Sequence, residues 1–512
     1  MRSLSGLDAA FIYLENARSP MHIGGVYLLD ASDAPADFGY QRFCQHIKSR
    51  LPLAPMLRER LLEVPLHMTH PQWLNDPDFE LSFHLPHWAL PAPGGLDELR
   101  EMAAQSFSRP LNRSRPLWEL AFVEGINTVP GLAPGSWAMI SKVHHAAIDG
   151  GSGAELMGVL MDLTRDPRPV PDDDGWEPDE LPSTARLAVN AAARLGWKAR
   201  TLPGLIKELG SGAARLYGVS RVKKLKPPTL PLSAPQSRFN APVSAKRSFA
   251  AVDLPLAQIK TIKNRVKGAT VNDVVLAICS GGLRAYLKEK DDLPDKPLVA
   301  MAPISVRTRN QRGTGGNQVS AMLVGLETHL DDPLARLKQI HTNASSSKAY
   351  SGALPAHRLI ELIPTQTAAL AARLYSRTSL GDGRRPFFNL VITNVPGPQK
   401  PLYLGGAKVL GTYGTAPLID GLGLILVIFS YAGRLSIGIT SCASIVPDPE
   451  RLGQLLRGSL EELEAALDLK EDEPLSSSTD APSTPQRSEL KDQLDKLQNC
   501  ADQLESYLKE QT

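Results

Sequence analysis

The sequence predicts a mixed α/β protein built from two large domains. Its 512 residues exceed what one hydrophobic core normally organises, so the chain is expected to divide. Apolar runs of strand length alternate with amphipathic helical segments from residue 1 to about 180, and again from residue 240 to about 468. A Pro/Asp-rich stretch, P-D-D-D-G-W-E-P-D-E-L-P (171–182), separates the two series.

The elements of the first domain, residues 1–182, follow from periodicity. V-Y-L-L (26–29) and S-W-A-M-I-S-K-V (136–143) are short apolar runs with β-branched and aromatic residues, which is typical of strands. A-D-F-G-Y-Q-R-F-C-Q-H-I-K-S-R (36–50) repeats apolar residues at helical spacing and predicts an amphipathic helix.

The segment 183–239 is predicted to be a basic, helical connection between the domains. From residue 183 to 226 its only acidic residue is Glu208. Its basic residues are Arg186, Arg194, Lys198, Arg200, Lys207, Arg215, Arg221, Lys223, Lys224 and Lys226. Leucines, Trp197 and Tyr217 interleave with these charges, as in helices that lie on anionic membranes or lipid droplets. A solvated connection without a lipid partner explains the composition equally well.

The second domain, residues 240–470, is predicted to contain one long helix and four strands. The helix is V-N-D-V-V-L-A-I-C-S-G-G-L-R-A-Y-L (271–287). The strands are 298–306, 318–326, 387–395 and 424–431.

Two segments follow the second domain. Residues 471–487 are rich in Ser, Pro and acidic residues and are predicted to be a disordered linker. Residues 488–512 are predicted to form an amphipathic heptad helix. Its apolar stripe is Leu490, Leu494, Leu497, Ala501, Leu504 and Leu508. Three heptads are marginal for an isolated coiled coil, so oligomerisation and docking onto the body stay open.

Composition excludes several classes of function. A net charge of +2 creates no global field that would attract nucleic acid. The 4 cysteines include no C-x-x-C pair and suggest no disulfide framework, which favours a reducing cytoplasm. The N-terminus does not resemble a signal peptide, and the apolar run 421–433 is too short to span a bilayer. Contact with lipid is therefore expected from the surface, at the inner face of the plasma membrane or on lipid inclusions.

S-K-V-H-H-A-A-I-D-G (141–150) places two adjacent histidines at the end of a predicted strand. Successive side chains of a strand face opposite ways, so His144 and His145 are not expected to face one site. One is expected to face a cleft, and the other to pack inward or hold the backbone. His145 and Asp149 have a spacing of four, but no third ligand is near in the sequence, so no metal is predicted.

A helix is predicted directly after this motif, over G-S-G-A-E-L-M-G-V-L-M-D-L (151–163). Ser152 and Glu155 match the S-x-x-E capping box that begins many helices. Three glycines in and after the turn leave room for a ligand to approach the backbone. Asp149 lies in the turn and is expected to orient the backbone or pair with an arginine.

A lone histidine base fits a specific chemistry. The sequence contains no G-x-S-x-G nucleophile elbow, no Gly-Lys dipeptide of a phosphate loop and no G-x-G-x-x-G. A base without a protein nucleophile needs an activated acyl donor, such as a thioester. The histidine would take the proton of an attacking hydroxyl or amine and return it to the leaving thiol. The developing oxyanion would need hydrogen-bond donors elsewhere.

Several motifs together resemble one family. H-H-A-A-I-D-G (144–150) is similar to the H-H-x-x-x-D-G motif of coenzyme A-dependent acyltransferases, which include chloramphenicol acetyltransferase-like folds and peptide-synthetase condensation domains. The order of the other motifs resembles the bacterial wax ester synthase / acyl-CoA:diacylglycerol acyltransferase family. They are S-G-L-D-A-A-F-I-Y-L-E with S-P-M-H-I-G-G (5–25), R-P-L-W-E (115–119), V-N-D-V-V-L-A (271–277), P-I-S-V-R (303–307) with G-G-N-Q (315–318), and T-N-V-P-G-P (393–398).

The resemblance implies two chloramphenicol acetyltransferase-like halves with a tunnel between them. His145 would be the proton acceptor and His144 a supporting residue. Asp149 would be structural, and we expect Arg58 or Arg60 as its partner.

Asn272 is a candidate oxyanion donor by the same resemblance. Alternatively it is a plain N-cap, because it comes just before a long apolar helix. Cys279 is expected to be a thiol of the helix core.

The resemblance implies transfer of a fatty acyl group from acyl-CoA to a fatty alcohol or a diacylglycerol. Acyl-CoA is expected as a substrate, with no permanently bound cofactor. One alternative is a condensation-type enzyme that uses a carrier-protein thioester. Another is a non-catalytic lipid-droplet-binding protein.

Overall fold

The computed structural model describes most of the chain up to residue 467. The described residues are 2–35, 37–64, 69–148, 150–171, 175–183, 229, 233–305, 319–351 and 386–467. Asp149, most of the basic connection, the linker 471–487 and the heptad helix 488–512 lie outside them, so what was predicted for these segments stays a prediction.

Helices and strands alternate along the described chain. The helices are α1 (Gly6–Leu14), α2 (Tyr40–Arg50), α3 (Leu96–Phe107), α4 (Gly150–Leu160), α5 (Leu256–Arg265), α6 (Val271–Glu289), α7 (Pro333–Ser351) and α8 (Pro449–Ala466). The strands are β1 (Arg2–Ser3), β2 (His22–Asp30), β3 (Glu59–Leu62), β4 (Gln72–Asn75), β5 (His87–Ala89), β6 (Trp118–Glu124), β7 (Trp137–His144), β8 (Arg247–Pro255), β9 (Val299–Ser305), β10 (Val319–Gly325), β11 (Leu390–Pro396), β12 (Tyr403–Leu404), β13 (Ala407–Thr415), β14 (Leu424–Tyr431) and β15 (Arg434–Cys442).

The first large sheet has six strands in the order β12-β13-β2-β7-β6-β5. Its central strand β7 is buried along its whole length because both faces of the sheet are covered. Successive side chains show this, since Met139 packs in one apolar cluster and Ile140 in the other. β2 pairs antiparallel with β7, and the register sets His22 opposite His144. A small sheet, β1-β4-β3, lies apart from it.

The second large sheet also has six strands, in the order β10-β9-β11-β14-β15-β8. β11 runs parallel to β9 and β14, and the other neighbours are antiparallel. α6 packs against α8 and α7. Mixed parallel and antiparallel pairing with attached helices confirms the predicted mixed α/β class.

The first large sheet is not formed by the N-terminal part of the chain alone. β12 and β13 follow β11 in sequence, yet β13 pairs with β2 of the first sheet, from Lys408 opposite Asp30 to Thr415 opposite Gly24. The second sheet comes very close to β13. A Cβ placed on Gly438 of β15 would lie 2.0 Å from the carbonyl oxygen of Gly414, so only glycine fits there.

The elements predicted within the described residues are present, most of them with shifted ends. The helix predicted at 151–163 is α4, which begins at Gly150. Ser152 therefore lies inside the helix, and its prediction as the capping residue is wrong. The helix predicted over 36–50 begins only at Tyr40, because Gly39 before it has an extended backbone. Among the described helices, none has the length and apolar composition needed to cross a bilayer.

Candidate active site

The histidine motif lies where β7 ends. The chain on either side fixes its backbone: the N–H of His144 donates to the carbonyl of Leu117 at 2.9 Å, and the N–H of His145 donates to the carbonyl of Met21 at 2.7 Å. His144 is the last residue of the strand, and His145 begins the turn that leads to α4.

His144 is fully buried and acts inside the protein. Its Nδ1 accepts the N–H of Ala146 at 3.0 Å. A ring nitrogen that accepts such a bond carries no proton, so neutral His144 is protonated on Nε2. That nitrogen lies 3.4 Å from Oε1 of Glu15. His144 therefore links the turn after the motif to the end of α1.

His145 lies on the wall of a cavity. Its ring stacks on Phe11 of α1, with 4.0 Å between the ring centroids and 10° between the planes. The two histidines thus have different surroundings, as strand alternation predicted. Stacking on Phe11 holds the ring, and the bond to Met21 holds the backbone, of a residue that borders the cavity.

The cavity has a volume of about 490 Å³ and is lined by both large sheets. Ile23 and Val143 line it from the first sheet, and Val391 and Val427 line it from the second. Most of the other lining side chains are apolar as well. Size and lining suit the alkyl chain of a ligand whose reacting group lies at His145. This cavity lies between the two large sheets, where the tunnel was expected.

Glu15 is a site residue for which the sequence suggested no role. It ends α1, and its N–H donates to the carbonyl of Phe11 at 3.1 Å. Its Oε1 accepts the N–H of Met21 at 3.2 Å. Burial alone would raise the pKa of this carboxyl, but its contact with the His144 ring and the bond from the Met21 N–H bring the pKa below its ordinary value. Glu15 is therefore a carboxylate whose side chain is buried against His144, the residue that precedes the candidate base His145.

Asn272 is not among the residues that line the cavity beside His145. It is the second residue of α6, whose N-cap is Thr270, so the N-cap alternative for Asn272 is wrong. Its Oδ1 accepts from Nδ2 of Asn394 at 3.2 Å. On β11 the alternate residues Thr393 and Val395 line the cavity, which places Asn394 on the other face of that sheet. Of the Asn272 side chain, the amide nitrogen is the atom that could donate a hydrogen bond to an oxyanion.

Asp273 supports the start of α6. Its N–H donates to the Thr270 hydroxyl at 3.2 Å, and its carboxylate accepts the Thr270 N–H at 2.8 Å. Nδ1 of His341 lies 2.8 Å from the same carboxylate. Asp273 thus completes the capping box that begins α6.

The expected pairing of Asp149 falls outside the described residues. Arg60 contacts Asp76 at 3.3 Å and Asp78 at 3.6 Å, and the Arg58 guanidinium lies over the ring of Trp176 at 4.7 Å. The role of Asp149 stays a prediction.

Two other kinds of site can be assessed in the described part of the chain. There, no group of three His, Cys, Asp or Glu side chains is arranged to hold a metal. Cys279 is buried inside α6, and burial raises the pKa of its thiol to about 12. It is a core thiol, as expected, and not a thiolate nucleophile.

Comparison with known families agrees with this geometry. The wax ester synthase/diacylglycerol acyltransferase catalytic domain matches residues 4–275. The C-terminal domain of the same family matches residues 315–464. Together the two matches include most of the motifs that carried the resemblance, whereas P-I-S-V-R (303–307) lies between them.

Curated relatives are similar over nearly their whole length. A putative diacylglycerol O-acyltransferase of Mycobacterium tuberculosis (strain CDC 1551 / Oshkosh) is 34% identical over 480 residues, which cover 93% of this chain and 92% of the relative. Another from Mycobacterium tuberculosis (strain ATCC 25618 / H37Rv) is 35% identical over 467 residues, covering 91% of this chain and 100% of the relative.

Solved structures share the fold. The wax ester synthase/diacylglycerol acyltransferase from Marinobacter aquaeolei VT8 matches with a TM-score of 0.66 and 28% identity, over 92% of this chain and 100% of that one. The first condensation domain of the calcium-dependent antibiotic synthetase matches with a TM-score of 0.55 and 16% identity, over 91% and 96% of the chains. These likenesses confirm the predicted class of two chloramphenicol acetyltransferase-like halves. The chain therefore belongs to the wax ester synthase/diacylglycerol acyltransferase family and is an acyltransferase.

Proposed function

We propose that the protein transfers a long-chain fatty acyl group from acyl-CoA to the hydroxyl of a fatty alcohol or a diacylglycerol, with His145 as the general base. The observation that carries this proposal is the His145 ring on the wall of an apolar cavity lined by both large sheets. The names of the relatives supply both acceptor classes.

The reaction is direct and forms no acyl-enzyme. His145 removes the proton of the acceptor hydroxyl as its oxygen attacks the thioester carbonyl carbon. The tetrahedral intermediate then expels the coenzyme A sulfur, and the His145 imidazolium returns the proton to it. The products are an ester and free coenzyme A. Base assistance of this kind contributes roughly 10²–10⁴-fold to the rate.

Other groups are proposed for the remaining tasks. Asp149 would orient the turn after His145. Asn272 would stabilise the oxyanion only through its amide nitrogen, because its carbonyl oxygen already accepts from Asn394. Acyl-CoA enters as a substrate, and no cofactor is bound permanently.

The proposed location is the cytoplasm, with attachment to the inner face of the plasma membrane or to lipid inclusions. Residues 183–226 would contact lipid, and residues 488–512 would mediate oligomerisation or dock onto the body. A carrier-protein thioester as donor gains no support from the likeness to condensation domains, because that likeness concerns the fold alone.

The first test of this function is release of coenzyme A from palmitoyl-CoA by the purified protein. Release is expected to depend on added hexadecanol or dipalmitoylglycerol, and the two rates rank the acceptors. Ester product should appear in equal amount. If the folded protein releases no coenzyme A with either acceptor, an acyl-CoA donor is excluded and a carrier-protein thioester becomes the donor to test.

Replacing Gly153 by leucine is expected to shorten the chains that the enzyme accepts. Gly153 of α4 lines the cavity, and a Cβ there would meet only Ile23, at 3.7 Å. The larger side chain would thus fill cavity space without a backbone clash. We expect transfer involving the longer chain to fall by about tenfold or more, with short chains less affected.

The measurement pairs palmitoyl- or butyryl-CoA with hexadecanol or butanol. If the fall in rate depends on the length of the acyl-CoA, the acyl chain occupies this part of the cavity. If it depends on the length of the alcohol, the alcohol chain does. Gly158→Leu is the matched control, because Gly158 lies on the same helix, is exposed and has open space around its Cα. Equal rates in all four combinations for Gly153→Leu and wild type would contradict the placement of a chain at Gly153.

A further inference from the structure

Glu15 contacts three residues that surround His145. Its Oε1 alone makes two contacts: it accepts the Met21 N–H at 3.2 Å and lies 3.4 Å from Nε2 of His144. The Glu15 N–H also closes the last turn of α1 on the carbonyl of Phe11.

Each of those partners contacts or adjoins His145. Met21 accepts the His145 N–H at 2.7 Å, so its carbonyl fixes the backbone of the base. Phe11 stacks on the ring at 4.0 Å. His144 precedes the base in the chain and ties the following turn through Ala146. One oxygen atom thus joins the end of α1, the start of β2 and the end of β7.

Glu15 does not itself reach substrate. It is not among the residues that line the cavity, whereas Phe11, Met21 and His145 are. Its side chain is only 6% exposed, so water competes little for its bonds.

We propose that Glu15 is a positioning residue for acyl transfer, and that the reach of its Oε1 to Met21 and His144 sets the His145 ring for proton abstraction. The inference rests on the proposed function, in which His145 is the base. Misplacement of a catalytic group by about 1 Å can cost 10²-fold in rate, so a small change of reach has a measurable effect.

Two conservative variants separate the effect of the length of the Glu15 side chain from the effect of its charge. Glu15→Gln keeps the length and an acceptor oxygen but loses the charge. Glu15→Asp keeps the charge but withdraws the carboxylate by one methylene, so that one oxygen can no longer bridge Met21 and His144. We expect kcat of Glu15→Asp to fall by about 10²-fold with KM for palmitoyl-CoA unchanged, because the cavity wall is intact. Glu15→Gln should keep most of the wild-type kcat.

The controls are Glu63→Gln, which changes an exposed carboxylate of the same domain, and His145→Ala. The inference is overturned if Glu15→Asp is at least as active as Glu15→Gln, or if either loss appears in KM and not in kcat. Thermal unfolding of each variant shows whether a lower rate reflects less folded protein. If His145→Ala keeps wild-type activity, the proposed function fails. If His145→Ala is inactive and Glu15→Asp is not, only the role of Glu15 fails.

Discussion

Replacing His145 by alanine is expected to remove nearly all acceptor-dependent release of coenzyme A. The ring is the titratable group that the site offers to the cavity at the end of β7, with Phe11 stacked behind it. Without it, the acceptor hydroxyl must lose its proton to water. A loss of roughly 10²–10⁴-fold in kcat is expected, which is the usual contribution of a general base. The fold should survive, since the lost ring lies on a cavity wall.

His144→Ala is the informative partner variant. It leaves the N–H of Ala146 without its acceptor and removes one of the two contacts of the Glu15 oxygen. An unsatisfied buried group costs about 1–3 kcal/mol, so this variant should unfold at a lower temperature and lose less activity per folded molecule. His87→Ala, at an exposed position of β5, should match wild type. Equal losses in well-folded His144→Ala and His145→Ala would contradict the assignment of separate roles.

Local patterns in the sequence predicted much of the fold. Apolar runs predicted β7 and β14 because both strands are buried on both faces, so that most of their residues are apolar. Alternation along β7 also predicted that His144 and His145 face different surroundings. These features depend on a few adjacent residues, and the sequence contains them directly.

Contacts between distant segments could not be predicted in this way. β13 belongs to the first sheet because it pairs with β2, far away in the chain, and no local pattern specifies a partner strand. Glu15 was missed for a similar reason, since a glutamate at a helix end usually faces solvent. Its signal appears only when Met21 and His144 are seen beside it. The start of α2 was displaced because the extended backbone at Gly39 decides where that helix begins.

The largest expected effect on stability comes from a buried ion pair behind the cavity wall. Arg50 of α2 donates to Asp162 at 2.7 Å, and the two side chains are 1% and 2% exposed. Asp162 follows α4, the helix that lines the cavity with Gly153, and its other oxygen accepts the Arg168 N–H at 3.2 Å. The pair therefore ties α2 to the far end of α4.

Removing one partner of such a pair costs more than the pair contributes. Asp162→Ala leaves the Arg50 guanidinium buried without a counter-charge, and a broken buried pair typically costs about 3–5 kcal/mol. We expect Tm to fall by several degrees, as judged by thermal unfolding followed by circular dichroism. Because α4 carries part of the cavity wall, palmitoyl transfer should be lost at a lower temperature than in wild type.

The matched control is Asp37→Ala, which removes the exposed partner of Arg42 next to the same helix. Exposed pairs contribute little, because water already screens both charges, so its Tm should stay near wild type. Replacing both Arg50 and Asp162 by methionine and leucine removes the unpaired charge, and this double variant should regain much of the lost stability. If Asp162→Ala unfolds at the wild-type temperature, Arg50 must find water or another carboxylate, and α4 is then held to the first sheet by apolar packing alone.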